Sequence, residues 1–352
     1  MIIPTFKPSI KRKDMDSVLT CMVSDVIGPA TLTERLVKVL GDYLQAAGGY
    51  AVRDYPRAIE VAFAAAGLSA GDTVVLSPLL PWIYHHVCRG MGLNPVYVDV
   101  DAHSPVIDAA LVRAVDNPRA VVAASTLGFA PDLESLQELP VTLIEDVSQG
   151  LGANTGTHSV GTVGHFTICG MEPEHIITSG GGAAVFARGR KERAALKTVC
   201  DTLPRELFLP DMNAALGLIQ ALEVERLVLR RKEIAAVYAR SAAQGRHKTP
   251  VQLGDGENVY FSFAVLVESA AGEVAAYARK KSIEVTTAFE SSVIGYASAP
   301  REEAAEVDRL LPEATGCPNA RRFLLRTLLF PLYPMLKRDE VELVQRVLAT
   351  LP

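Results

Sequence analysis

The sequence predicts an α/β fold in which helices cover both faces of a mostly parallel sheet. Short β-rich runs alternate with helical patterns between about residues 45 and 190. The runs are almost continuously apolar, which is typical of strands buried on both faces of a sheet. Strict alternation of strand and helix favours parallel strands joined by crossover helices. We therefore expect a large doubly wound sheet followed by a smaller C-terminal α/β domain.

The elements of the large sheet are expected to alternate along the chain. The predicted strands are Thr73–Ser77, Pro95–Val100, Ala120–Ser125, Thr142–Asp146, His165–Cys169 and Gly182–Phe186. The predicted helices between them are Arg57–Ala66, Ile83–Met91, Asp108–Val115 and Leu133–Glu138. A long helix is expected from about Met212 to Ser241, because apolar residues recur there near the 3.6-residue period.

The polar, Gly-rich segment His247–Glu257 is predicted to be a loop that leads into the second domain. That domain is expected to contain a strand at Val259–Val267, a helix at Gly272–Lys281, a turn at Phe330–Pro334 and a final helix at Asp339–Leu348. We place the boundary near residue 240, with residues 1–240 in the large domain and 241–352 in the small one.

Composition excludes several classes of protein. The chain of 352 residues carries 35 Lys and Arg against 40 Asp and Glu, and this balance lacks the basic excess of a nucleic-acid-binding surface. No run of about 18 apolar residues predicts a membrane span, and no signal-peptide pattern opens the sequence. The five cysteines are scattered and never form a CxxC pair, so neither a disulfide framework nor a zinc site is expected. A cytoplasmic protein without a metal site is predicted.

Polar residues at three strand ends, in Ile144–Gln149, Ser77–Trp82 and Pro173–Gly182, are candidates for a functional site, because ligands of such sheets bind at the carboxyl ends of the strands. In Ile144–Gln149, two acidic residues end an apolar strand. Asp146 is placed to pair with a cationic ligand group. The alternative is a structural role, as a helix N-cap or in a salt bridge at the strand end. Trp82, the only tryptophan, follows another strand and is placed either to stack on a flat ring or to pack in a core or interface.

The Gly-rich stretch Pro173–Gly182 is a weaker candidate. It lacks the Lys-Ser/Thr of a phosphate-binding loop and precedes a strand, so a tight turn or close backbone packing is the favoured interpretation. His85 and His86 lack metal-ligand spacing, and no GxSxG motif marks a nucleophile.

Segments along the whole chain resemble the DegT/DnrJ/EryC1/StrS family, the pyridoxal-phosphate-dependent sugar aminotransferases and related dehydratases of aspartate aminotransferase fold. The resemblance is carried, in order, by Ile3–Ile10 (IPTFKPSI), Gly71–Val74, Pro95–Asp101, Ile144–Gln149, Asn213–Gln220, Arg230–Ala235 and Leu329–Leu336 (LFPLYPML). It implies an aspartate-aminotransferase-like large domain with a small C-terminal domain. It further implies a homodimer, a nucleotide-sugar-like ligand and a role connected with polysaccharide biosynthesis.

The resemblance implies roles for three residues toward pyridoxal phosphate (PLP) or pyridoxamine phosphate (PMP). Asp146 matches the aspartate that pairs with the pyridine nitrogen, and Gln149 matches the glutamine beside the phenolic oxygen. Trp82 falls where an aromatic side chain stacks on the ring.

The sequence departs from the family at the cofactor's attachment points. The lysine that forms the Schiff base falls on His175, or on Glu174 in a register shifted by one, and no lysine occurs between Lys38 and Lys191. The phosphate-binding serine before it becomes Gly170.

The phosphate cup is replaced as well. It corresponds to Arg53–Ile59, where the small hydroxyl residues are gone and Pro56 removes a backbone donor. Arg57 is placed to hold an anion at a helix N-terminus. Whether Arg53, Tyr55 and Arg57 form a new anion site or fill a disused one stays open at this point.

These departures leave three functional hypotheses. The first is a family member that no longer performs transamination and keeps a small-molecule pocket or a structural role, with no cofactor at all as one outcome. The second is a lysine-free dehydratase-like enzyme that uses PMP, in which the His175 imidazole is the base. The third is a binding or regulatory subunit that pairs with an active paralogue.

Overall fold

The computed structural model describes residues 2–298 and 316–352. Its main feature is a seven-stranded sheet with the order β1-β7-β6-β5-β4-β2-β3. The strands are β1 (Gly48–Val52), β2 (Thr73–Leu76), β3 (Asn94–Tyr97), β4 (Ala120–Ala124), β5 (Thr142–Asp146), β6 (Phe166–Gly170) and β7 (Ala183–Ala187). Only β7 runs against its neighbours, so the prediction of a large, mostly parallel sheet is confirmed.

Helices cover both faces of this sheet. Those before and between its strands are α1 (Arg12–Val23), α2 (Thr31–Tyr43), α3 (Tyr55–Ala65), α4 (Ile83–Gly90), α5 (Ala109–Arg113) and α6 (Leu133–Gln137). After β7 come α7 (Arg190–Cys200), α8 (Asp211–Ala221) and α9 (Val224–Ala242). Alternate residues of the central strands point into two different cores, Val75 and Val121 into one and Val74, Leu76 and Val122 into the other. This burial on both faces explains why the strands read as continuous apolar runs.

A second, three-stranded antiparallel sheet has the order β8-β10-β9. It is formed by β8 (Phe263–Leu266), β9 (Thr286–Thr287) and β10 (Thr327–Phe330), with α10 (Ala271–Lys280), α11 (Val293–Ser298), α12 (Pro318–Arg326) and α13 (Arg338–Leu348) around it. The N-terminal segment also joins this sheet's core, since Ile3 pairs with Ile283.

Several predicted elements were wrong in their extent. The expected helix Met212–Ser241 is two helices, α8 and α9, because the backbone leaves the helical region at Glu223 (φ −116°, ψ 12°). The expected strand Val259–Val267 is reduced to β8, since Tyr260 has a positive φ of 57° that a strand does not allow. Strands β1, β9 and β10 and helices α1, α2, α7, α11 and α12 were not predicted.

The structure supports the turn interpretation of the Gly-rich stretch. Gly180, Gly181 and Gly182 have φ values of 74°, 128° and 94°, a region that side chains other than hydrogen rarely adopt. These glycines turn the chain directly into β7.

No helix within residues 2–298 or 316–352 is both long enough and apolar enough to cross a lipid bilayer.

Candidate functional site

A cavity of about 420 Å³ lies where the carboxyl ends of β4, β5 and β6 meet the small sheet. The large domain lines it with residues that follow these three strands, Ser125, Thr126, Leu127, Asp146, Ser148, Gln149, Glu172, Glu174 and His175. The other side is closed by Phe261 and by the segment 286–292, which includes β9. This is the edge at which open α/β sheets bind ligands.

Asp146 lines the cavity, and both oxygens of its carboxylate accept hydrogen bonds from the protein. Tyr55 and Tyr84 both donate their phenolic hydroxyl to Oδ2, Tyr84 at 2.5 Å. The other oxygen, Oδ1, accepts from the backbone amide of Ser148 at 2.9 Å. Burial, and then the negative charge of Asp146, raise the pKa of both phenols well above the usual value, so both stay protonated and act as donors.

Tyr55 reaches Asp146 from the first turn of α3. Asp54 caps this helix by accepting from the Arg57 amide at 2.7 Å. The Tyr55 ring meets Tyr84 edge-on at 6.0 Å between centroids and His175 edge-on at 6.1 Å. Its side chain therefore fills the space between the N-terminus of α3 and Asp146.

His175 lies in a turn that follows β6, and its imidazole bonds to the backbone of that turn. Nδ1 accepts from the Glu172 amide at 3.1 Å. Because an amide can only donate, the neutral ring carries its proton on Nε2, and the lone pair of Nδ1 is already in use. Burial lowers the pKa of His175, which keeps the ring neutral. The lone pair that a general base requires becomes available only if this turn opens.

Gly170 and His175 fit together sterically. A Cβ on Gly170 would lie 2.6 Å from His175 Cε1 and 2.9 Å from both His175 Nδ1 and Ser148 Oγ. The imidazole thus occupies the space that a side chain at position 170 would need. Ser148 Oγ itself accepts from the Gly170 amide at 2.7 Å.

Gln149 lines the cavity and also holds the loop after β4. Its Oε1 accepts from the Leu127 amide at 2.8 Å. Leu127 has a left-handed backbone (φ 53°), which is costly for a residue other than glycine. The hydrogen bond that Leu127 donates to Gln149 offsets part of that cost and fixes the loop that carries Thr126.

Three residues singled out from the sequence lie outside the cavity lining. Trp82 stacks on Tyr296 at 3.9 Å and on His85 at 4.5 Å between ring centroids. Arg57 forms an ion pair with Glu60, one turn along α3. Arg53 is exposed, and its Nε donates to the Glu206 carbonyl at 2.8 Å. Their roles toward a cofactor or an anion stay predictions.

Negative charge collects at the end of the cavity near α3. Burial raises the pKa of Glu172, and the charges of Glu174 and Asp54 raise it further. None of the described residues that line the cavity is Lys or Arg. In the part of the chain that the structure describes, no group of three His, Cys, Asp or Glu is placed to hold a metal ion.

The sequence did not indicate the contribution of Tyr84 or Glu172. Tyr84 lies 62 residues before Asp146, and nothing in its local pattern distinguishes it from a core tyrosine. Tyr55 falls within the segment expected to hold phosphate, yet only the structure brings its hydroxyl to Asp146.

PLP or PMP does not fit the residues at this site. Asp146, the expected partner of the pyridine nitrogen, already accepts from two phenols and an amide. The helix N-terminus expected to hold phosphate is capped by the Asp54 carboxylate, with Glu172 and Glu174 close by. No lysine between Lys38 and Lys191 is available for a covalent link. We therefore assign no chemical step to the cofactor in this chain.

Known proteins resemble this chain along its length. The sequence pattern of the DegT/DnrJ/EryC1/StrS aminotransferase family matches residues 8–349. An L-glutamine:2-deoxy-scyllo-inosose aminotransferase from Micromonospora echinospora is 35% identical over 133 residues, 36% of this chain and 31% of that protein. GDP-perosamine synthase from Vibrio cholerae is 22% identical over 256 residues, 67% of this chain and 70% of that protein. The alignments with the first relative, and with its counterpart in Streptomyces kanamyceticus (39%), span less than half of those proteins.

Solved structures share the fold. The Streptococcus pneumoniae protein Spr1654, described as a sugar aminotransferase and solved in a PMP form, superposes with a TM-score of 0.87 at 18% identity, over 99% of this chain and 97% of that one. The dehydratase ColD with bound GDP-perosamine superposes with a TM-score of 0.85 at 15% identity, over 98% of this chain and all of that one (100%). With the match over residues 8–349, the chain belongs to the DegT/DnrJ/EryC1/StrS aminotransferase family.

Proposed function

We propose that this chain is a member of the family that binds a small molecule without performing PLP-dependent transamination. The observation that carries the proposal is the engagement of Asp146 by Tyr55, Tyr84 and the Ser148 amide. A pyridine nitrogen that donates to Oδ2 of Asp146 would have to displace one of these two phenols, and the protein would lose a hydrogen bond to a charged group. The absence of a lysine for the Schiff base and the carboxylates near α3 also argue against binding of PLP.

The dehydratase hypothesis receives less support from the same geometry. It requires His175 as a free base beside PMP, whereas the Nδ1 lone pair accepts from the Glu172 amide. It also requires Asp146 to be available to the ring of the cofactor.

Titration calorimetry of the full-length protein with PLP and with PMP tests the proposal. We expect no binding tighter than about 1 mM for either compound. We also expect no absorbance change with PLP that borohydride traps on the protein. Micromolar binding of PMP that Asp146→Ala abolishes would overturn the proposal in favour of a cofactor-dependent enzyme.

The cavity itself supports a sugar-sized ligand. Its volume of about 420 Å³ lies within the range of small-molecule pockets, and hydroxyl and amide groups line it next to apolar side chains. Relatives are named for inosose and perosamine chemistry, so a ring-shaped polyhydroxylated ligand is the natural class to screen.

A homodimer is the second part of the proposal. Helix α1 packs against α8, where Ser17 Oγ donates to the Ala215 carbonyl at 2.9 Å, and its opposite face is exposed. Met15, Leu19, Met22 and Val23 lie on that face with exposed fractions of 51%, 57%, 52% and 83%. Apolar exposure of this kind marks a surface for another protein chain. A cytoplasmic location completes the proposal, and cell fractionation tests it.

A further inference from the structure

A second cavity of about 350 Å³ lies between helix α9 and the segment 249–264, and we call it the α9 cavity. We propose that it binds an uncharged ring compound that presents a carbonyl oxygen to Asn258. Among the described residues, its lining shares no member with the lining of the cavity at the strand ends. The inference therefore goes beyond the proposed function and does not depend on it.

Asn258 supplies the polar group that a ligand would meet. It lines the α9 cavity with an exposed fraction of only 6%. Its Oδ1 accepts from the Tyr260 amide, and because that amide can only donate, the oxygen and the nitrogen of the side chain are assigned without ambiguity. Nδ2 has no hydrogen-bond partner among the residues that the structure describes. A buried donor without a partner is uncommon and costly, so an acceptor on a ligand would satisfy it.

The wall around Asn258 is fixed by the protein itself. Tyr260 also lines the α9 cavity, and its positive φ of 57° is rare for a bulky residue. Its amide donates to Asn258, and its carbonyl accepts from Arg231 Nη1 at 3.1 Å. Gly128 packs against the same loop, since a Cβ there would lie 2.6 Å from Asn258 Oδ1. The donor of Asn258 is therefore held in place before a ligand enters.

The charges in the lining favour an uncharged ligand. Lys232 and Glu257 are the charged residues of the described lining, and they form an ion pair with each other. An ionised ligand would find no unpaired opposite charge there, and it would lose hydration on entering. Burial, and then the charge of Glu257, raise the pKa of Tyr260, so its phenol stays neutral as well.

The apolar part of the lining favours a ring. Phe129 and Phe263 contribute aromatic side chains, on which a flat ring packs well. Ala236 and Ala239 lie three residues apart on one face of α9, and their small side chains leave open the space that a larger residue would occupy. The volume of about 350 Å³ lies within the range of small-molecule pockets. The α9 cavity thus combines a ring-sized apolar space with one unpartnered donor.

The test is a ligand-observed NMR titration of the full-length protein with acetophenone, ethylbenzene and benzoate. Ethylbenzene lacks the carbonyl of acetophenone, and benzoate adds a negative charge. We expect acetophenone to bind with a Kd of about 1 mM, and at least about fivefold more tightly than the other two compounds. Asn258→Asp keeps an acceptor for the Tyr260 amide and removes the Nδ2 donor. It should weaken acetophenone binding at least about fivefold and leave ethylbenzene unchanged.

A second variant localises the binding. Ala236→Leu introduces a larger side chain into the α9 cavity from an exposed helical position, where leucine is well tolerated. It should abolish binding of acetophenone, and it decides the test if Asn258→Asp fails to fold. Ala194→Leu is the matched control, because Ala194 is an exposed helical alanine on α7 that does not line the α9 cavity.

Four results would overturn the inference. Equal binding of ethylbenzene and acetophenone would remove the role of Nδ2, and preferred binding of benzoate would show that charge directs recognition. Binding that survives Ala236→Leu would place the ligand elsewhere on the protein. Absence of binding by all three compounds would show that the cavity does not take this class. None of these results bears on the proposed function, which is tested by the titrations with PLP and PMP.

Discussion

The hydrogen bonds that Asp146 accepts determine whether its carboxylate is available to a ligand. Asp146 is the residue that the family resemblance assigns to a pyridine nitrogen, yet its Oδ2 accepts from two phenols of the same chain. A protonated pyridine and a phenol both donate one hydrogen bond to a carboxylate. Tyr55 thus supplies from within the chain the donor that a cofactor would bring.

Replacement of Tyr55 tests the strength of this arrangement. Tyr55→Phe removes one donor to a carboxylate and should lower the free energy of unfolding by about 1.5–3 kcal/mol, the usual cost for a hydrogen bond to a charged group. Urea denaturation measures the effect. The control is Tyr277→Phe, because the Tyr277 hydroxyl bonds to Thr350 at the surface and its loss should cost less than about 0.5 kcal/mol. Equal effects of the two variants would contradict the assignment.

The fit between Gly170 and His175 gives a second prediction. Gly170→Ala forces a methyl group against the imidazole at 2.6 Å and should cost about 1–3 kcal/mol of stability. In a His175→Ala background the same substitution should cost much less, because the clashing ring is gone. Gly90→Ala is the control, since nothing lies within 4 Å of its added Cβ. Additive effects of the 170 and 175 substitutions would show that the two positions are independent.

Sequence reasoning placed Asp146, Gln149 and His175 at the strand ends, and all three line the cavity. It did so because each follows a strand whose apolar run is visible in the sequence. The partners of Asp146 could not be found this way, since Tyr55 and Tyr84 come from helices α3 and α4, which only the folded sheet brings beside β5. The position of Trp82 outside the cavity depends likewise on Tyr296, more than 200 residues away.

At the N-terminus of helix α3, Asp54 could stabilise the helix either by its capping hydrogen bond or by its negative charge. Asp54 ends the β1–α3 connection and accepts from the Arg57 amide, so it satisfies a donor that would otherwise be open to an anion. Asp54→Ala should lower stability by about 1 kcal/mol, whereas Asp54→Asn keeps a capping side chain and should change it by a few tenths only. Thermal or urea unfolding of both variants checks this. Equal losses would mean that the charge of Asp54, rather than its cap, stabilises α3.

The elements missed from the sequence have local reasons. Strand β1 contains two glycines, which strands disfavour, and it is held by pairing with β7. Gly49 is required there because a Cβ would meet the Phe186 ring and the Val185 carbonyl. The break between α8 and α9 involves no proline or glycine, and the apolar period continues through it, so periodicity alone predicted one helix.

For the whole molecule, the exposed face of α1 is the feature that the folded monomer does not explain. Met15, Leu19, Met22 and Val23 recur at helical spacing on one side, and Val26 just beyond the helix extends the surface. Burying large apolar side chains is worth about 1.5–3 kcal/mol each, so their common exposure favours a second copy of the chain over this face.

The corresponding prediction concerns the mass of the protein in solution. Light scattering coupled to size-exclusion chromatography should give twice the chain mass of 37.8 kDa, and Leu19→Glu should shift the protein toward the monomer. A carboxylate at the centre of the apolar face would have to be buried without a partner, which costs several kcal/mol. Leu325→Glu is the matched control, because Leu325 is equally exposed (61%) but lies on α12. A monomeric wild-type protein would show that the α1 face has another role. A dimer that Leu19→Glu leaves intact and Leu325→Glu disrupts would place the contact between subunits away from α1.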